Sequence, residues 1–142
     1  MGSYLNPGNF SFRGSLRSKI YVDKSKLIAK TNEVLCTEQK YICVSRPRRF
    51  GKSMAANMLA AYYDRSENTE DLFQNLAISR EKSYEENLNQ YDVIKINMQE
   101  FLSMAGTIEK MLEMLKDYLV VDFEEAYPAG ALSSAAAPMS KT

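Results

Sequence analysis

The chain has 142 residues, 45% hydrophobic and 25% charged, enough for one globular domain with a modest core. Its formal net charge of zero hides an imbalance: residues 1–65 hold twelve Lys or Arg against four acids, and residues 66–142 hold six against fourteen. No apolar run approaches the length of a membrane span, and the opening MGSYLNPGNF has neither a secretory pattern nor the hydroxyl at position six that myristoylation needs, so a cytoplasmic location without a membrane partner is expected.

In chain order, residues 1–18 are rich in Gly, Ser, Asn and Pro and predict an extended arm. Ile20–Val22 is a short β-prone run. Asp23 then suits the N-cap of a helix from about Lys24 to Val34, with Leu27, Ile28 and Val34 facing inward. Cys36 and Cys43 read as reduced, partly buried thiols, and without any histidine there is no Ser-His or Cys-His catalysis and no adequate zinc ligand set. KYICVS, residues 40–45, predicts a buried parallel strand. From Lys52 onward, Met54, Met58, Leu59 and Tyr62 recur at helical spacing.

TEDLFQNLAIS predicts a short helix capped by Thr69, and REKSYEENLNQ a polar connection. YDVIKINMQEF alternates Val93, Ile96 and Met98 about Ile94 and predicts a second core strand. TIEKMLEMLKDYLVV carries one stripe of Ile108, Met111, Leu112, Leu115, Tyr118 and Leu119 behind a capping Thr107, the pattern of an amphipathic helix. The tail, residues 127–142, is small, polar and patternless and is expected to be disordered. Strands alternating with helices predict an α/β domain over residues 19–126, a truncated P-loop NTPase-like fold with a small, mainly parallel sheet flanked by helices.

The chemistry is concentrated in Arg46-Pro47-Arg48-Arg49-Phe50-Gly51-Lys52-Ser53. A P-loop, G-x-x-x-x-G-K-[ST] between a strand and a helix, gathers backbone N–H groups around phosphates and backs them with a helix start. The second glycine, the lysine and the serine are present, while Arg46 stands where the first glycine would be. Arg48, Arg49, Phe50, Gly51, Lys52, Ser53 and Met54 are therefore the expected nucleotide-binding residues, with Ser53 as a Mg²⁺ ligand and ATP with Mg²⁺ as the possible cofactor pair. Arg46, Arg48 and Arg49 could alternatively meet nucleic-acid phosphates.

Four blocks, YVDKSKLI, CVSRPRRFGKSMAANMLAAYYD, LFQNLAIS and YDVIKINMQEF, follow one another over residues 10–105 in the order seen in the AAA-ATPase-like family, and the chain resembles the N-terminal part of that family. The resemblance implies that Arg46 is a family variation, that Gly51, Lys52 and Ser53 are the phosphate and Mg²⁺ residues, and that Arg48 and Arg49 flank them. It also implies an acidic Walker B strand further along. Here the only apolar run leading into acids is DYLVVDFEEAY. Read as a strand, it puts Asp122 and then Glu124 at a catalytic tip; read as a helix, it continues the stripe from Ile108 and leaves the acids solvated. The unbroken spacing favours the helix. Glu100, after the second strand, is a further candidate carboxylate.

With no clear metal-holding carboxylate, weak or absent ATP hydrolysis is expected. The exposed edge of a small sheet predicts a protein partner or a second copy. A different class of function is a non-enzymatic inhibitor of mobile-element origin, anti-CRISPR-like, whose acidic C-terminal half occupies the channel of a nucleic-acid enzyme.

Overall fold

The computed structural model describes residues 4–45 and 51–127. They belong to two compact units, Gly8–Val93 and Met1–Pro7 with Ile94–Thr142. Among the described residues there is no strand and no sheet, only helices and two isolated bridges. The expected parallel sheet is thereby overturned. The physical reason lies in the segments themselves. Tyr41, Ile42 and Val44 carry no regular secondary structure and are exposed, and among the described residues they join no ladder; a β-pattern becomes a strand only when a second chain segment pairs with it. The YDVIKINMQEF run contributes one bridge at Tyr91, to Asp64, and one at Ile94, to Leu5, before turning helical at Met98.

The first unit contains α1 (Phe10–Leu16), α2 (Lys26–Val34), α3 (Lys52–Tyr63), α4 (Glu70–Phe73), a 3-10 turn (Ala77–Arg80) and α5 (Tyr84–Asn87). Residues 10–16 are thus helical within the segment read as an extended arm, because Phe12 is drawn into the core and stacks on Phe73 at 5.0 Å between centroids. Around them gather Ile28, Met58, Ala61, Tyr62, Leu72, Ile78 and Tyr84. Full burial of side chains such as Phe73 and Ile78 contributes about 1.5–3 kcal/mol each. Of the residues expected to face inward from α2, Ile28 is buried, while Leu27 and Val34 are half-buried. Cys36 and Cys43 are free and both exposed, not partly buried as expected, since each lies in the open connection after α2.

Polar locks hold this core. Asn89, at φ +55°, accepts from the Thr69 amide at 3.0 Å and donates to Thr69 Oγ1 at 2.9 Å and to the Asp64 carbonyl at 2.7 Å. Thr69 does stand before α4, but its hydroxyl donates to the Ala61 carbonyl at 2.9 Å and so ties α4 to α3 instead of capping. The buried Tyr62 donates to the Tyr84 carbonyl at 2.7 Å, and Tyr63 donates to Asn32 Oδ1 at 2.6 Å.

The second unit is a helical hairpin, α6 (Met98–Ala105) and α7 (Ile108–Ala126), with the N-terminal residues laid against it. Asn97 Oδ1 accepts from the Glu100 amide at 3.4 Å and opens α6. Gly106, at φ +79°, closes α6, and Thr107 opens α7 by accepting from the Lys110 amide at 3.3 Å; a left-handed residue followed by a capping threonine makes the tight reversal. Tyr4, Phe101 and Tyr118 form an aromatic triad with centroids 5.0–5.9 Å apart. The expected stripe on α7 is present, but only part of it is covered: Met111 is buried, whereas Ile108 and Leu112 are more than half exposed. No helix among the described residues is long and apolar enough to cross a membrane.

Candidate functional site

The start of α3 is built on Gly51. Its φ of +82° and ψ of 20° put it in the left-handed region at the N-cap, and its carbonyl accepts from the Ala55 amide at 2.9 Å. A residue with a Cβ is disfavoured there by about 1–2 kcal/mol, which is the physical reason for glycine in the Gly-Lys-Ser sequence. Lys52 and Ser53 follow in the first helical turn, both exposed. α3 aligns the peptide dipoles of twelve residues, so its amide end favours negative charge.

A cleft of about 390 Å³ opens at this end, lined by Lys24, Lys26, Lys30 and Lys52 with Leu27, Val44, Gly51 and Ala55. Four lysines lining one cleft beside a helix start suit an anion bearing several charges, such as a chain of phosphates. The acid adjoining this cluster in sequence is held elsewhere. Burial pushes the Asp23 carboxyl up, but hydrogen bonds from Ser25 and from the Ala77 and Ser25 amides, helped by Lys26, outweigh it and hold its pKa below the ordinary value. Lys30 lies 3.9 Å from Glu33, with both side chains well exposed, a pair too solvated to neutralise the cleft.

The strand expected before Lys52 is not what fixes the lysines. Asp23 accepts from the Ser25 amide and from the Ala77 amide, each at 2.8 Å, and Ser25 Oγ accepts from the Ile78 amide at 3.1 Å. Both neighbours of Lys24 are thus pinned to the first two amides of the 3-10 turn. Ser25, not Asp23, occupies the N-cap of α2. YVDKSKLI and LFQNLAIS, some fifty residues apart, meet here. A family model described as Predicted AAA-ATPase matches residues 11–140.

The chain belongs to the AAA-ATPase-like family. No curated protein and no solved structure matches it. The matched span takes in every element that builds the lysine cleft. A polyphosphate with Mg²⁺, which a family of predicted ATPases implies, fits the donor set: ammonium groups and helix-start amides for the phosphates, and the exposed Ser53 hydroxyl for the metal.

The remaining expected residues fall in different places. Arg46, Arg48, Arg49 and Phe50 lie outside the described residues. Met54 is in the first turns of α3 and lines a second cleft beside Gly51. Asp122 and Glu124 are on α7, in the other unit. The helical reading of DYLVVDFEEAY therefore holds, but not all its acids are solvated: Asp122 is buried and accepts from the Tyr4 amide at 2.6 Å and the Leu5 amide at 3.0 Å. Glu124 is exposed, and Glu100 is exposed in the first turn of α6, where a carboxylate favours the helix dipole. Lys24, Lys26 and Lys30 escaped the motif reading. The signal that could have found them is the excess of Lys and Arg in residues 1–65 together with their spacing in KSKLIAK.

Proposed function

We propose that this chain is a nucleotide-binding unit of the AAA-ATPase-like family that grips ATP with Mg²⁺ at the start of α3 and hydrolyses it weakly or not at all by itself. The observation that carries this reading is the left-handed Gly51 and Lys52 opening a twelve-residue helix inside a cleft lined by three further lysines. Phosphate oxygens would meet the first-turn amides and the ammonium groups, and Ser53 would take a position on Mg²⁺. Weak turnover follows from the carboxylates. Asp122 is committed to two main-chain amides, and Glu100 and Glu124 stand on exposed helix surfaces, so the groups that would complete the metal shell and orient a water are poorly supplied.

Calorimetric titration of the full chain with ATP and MgCl₂ tests this. Saturable binding is expected, weakened by about tenfold or more in Lys52→Ala. An absence of binding in the wild-type chain would remove the reading.

A further inference from the structure

Two clefts meet at Gly51. The first is the lysine cleft described above. The second, about 310 Å³, is lined by Ile20, Tyr21, Val22, Met54, Ala55 and Met58 together with Lys24 and Gly51. Lys24, Gly51 and Ala55 belong to both. Lys26, Lys30 and Lys52 border only the first, with Leu27 and Val44, whereas Ile20, Tyr21, Val22, Met54 and Met58 border only the second. Lys24 is therefore the charged residue at the junction. Its Nζ comes within 3.4 Å of where a Cβ on Gly51 would stand, so the ammonium lies directly over the glycine that starts α3. Its backbone is held on both sides, through Asp23 and Ser25, by the amides of Ala77 and Ile78.

We propose that Lys24, which lies outside the phosphate-loop motif, is a binding and specificity-determining residue that grips the phosphate nearest the organic group of the ligand. This inference rests on the nucleotide reading of the site and deepens it. A ligand with several phosphates on one side and a flat or apolar group on the other fills both clefts. Its outer phosphates lie among Lys26, Lys30 and Lys52, and its organic group lies against Tyr21, Val22 and Met54. The phosphate that joins the two parts must cross the junction, where Lys24 is the lysine that borders both clefts. Pinning at Asp23 and Ser25 holds the lysine backbone ready, so little order is lost when the ligand arrives.

The test is a pair of titrations, with ATP and with inorganic pyrophosphate, on the full chain and its Lys24→Gln, Lys24→Arg and Lys52→Ala variants, with a thermal melt of each. Pyrophosphate has no organic group and can sit wholly in the lysine cleft. Lys24→Gln is expected to weaken ATP by about tenfold and pyrophosphate by about twofold or less, with Lys24→Arg recovering most of the loss. Lys52→Ala is expected to weaken both. Equal losses for the two ligands in Lys24→Gln, or no loss for either, overturn the proposal while leaving the nucleotide reading standing. Binding of neither ligand by the wild-type chain overturns both. Val22→Ser, at a position nearly two-thirds exposed, is expected to reduce ATP affinity without changing that for pyrophosphate; equal effects again overturn the assignment.

Discussion

Asp23 Oδ2 accepts a hydrogen bond from the Ala77 amide at 2.8 Å, so a carboxylate in the segment before α2 holds the first residue of the 3-10 turn. The same carboxylate accepts from Ser25, and the resulting clasp sets the path of the backbone at Lys24. Asp23→Ala is expected to lower stability by about 1–3 kcal/mol, because two amides lose a charged acceptor, and to weaken ATP binding through displaced Lys24. Denaturant melts and calorimetry check the two effects. The pH dependence has a definite sign. The folded pKa of Asp23 lies below the ordinary value of 3.8, so its contribution is present above that value and is lost as the pH falls below it toward the folded pKa. Acid melts of the wild-type chain should therefore be steeper below about pH 4 than those of Asp23→Asn.

Gly51→Ala puts a Cβ on a residue at φ +82°. Among the described residues the space is adequate, with Lys24 Nζ at 3.4 Å the nearest atom, so strain in the backbone dominates. A loss of about 1–2 kcal/mol is expected, accompanied by weaker ATP binding as the start of α3 rearranges. Gly51→Asn should be milder, because asparagine tolerates the left-handed region better. Equal melting temperatures for Gly51→Ala and wild type would show that this backbone geometry is not the one adopted in solution.

Asp122→Ala tests the strap on the N-terminal segment. Both the Tyr4 and the Leu5 amides lose their acceptor, and Leu5 is buried, so about 2–3 kcal/mol should be lost from this unit. Amide hydrogen exchange at Tyr4, Leu5 and Lys95, whose amide donates to the Tyr4 carbonyl, is expected to accelerate together. ATP affinity is expected to stay within about twofold. A large loss of Mg²⁺-dependent ATP binding with no change in exchange would instead assign Asp122 to the metal.

Burial raises the pKa of Tyr62 to about 12, against the opposing hydrogen bond from Asn32, and burial raises those of Tyr63 and Tyr84 as well. A raised folded pKa means that the native state holds its proton more tightly than the unfolded chain. The stability is present below the unfolded value of about 10 and is lost as the pH rises from there toward about 12. Thermal melts between pH 9 and 12 should show a steep fall that is shallower in Tyr62→Phe; parallel curves would contradict the linkage.

The two longest helices were legible from local pattern, whereas α1, α5 and α6 were not. The stripe from Ile108 and the capping Thr107 locate α7, and the spacing from Met54 to Tyr62 locates α3. The start of α6 was missed: the alternation of Val93, Ile96 and Met98 predicts a strand, although Asn97 followed three places on by Glu100 is a capping signal. Phe12 shows the opposite failure: the polar residues around it suggest an arm, yet one buried ring anchors a helix.

By itself, the sequence determined where the helices α3 and α7 run and where glycine must open one, because these depend on residues within a few positions of one another, and the order of its four blocks pointed to the AAA-ATPase-like family. Only the tertiary structure decided that the β-prone runs build no strand among the described residues, that Asp122 straps the N-terminal backbone, and that Lys24, Lys26 and Lys30 join Lys52 in one cleft. Those outcomes depend on which distant amides, carboxylates and ammonium groups become neighbours, a matter of packing over separations of twenty to more than a hundred residues that no local pattern encodes.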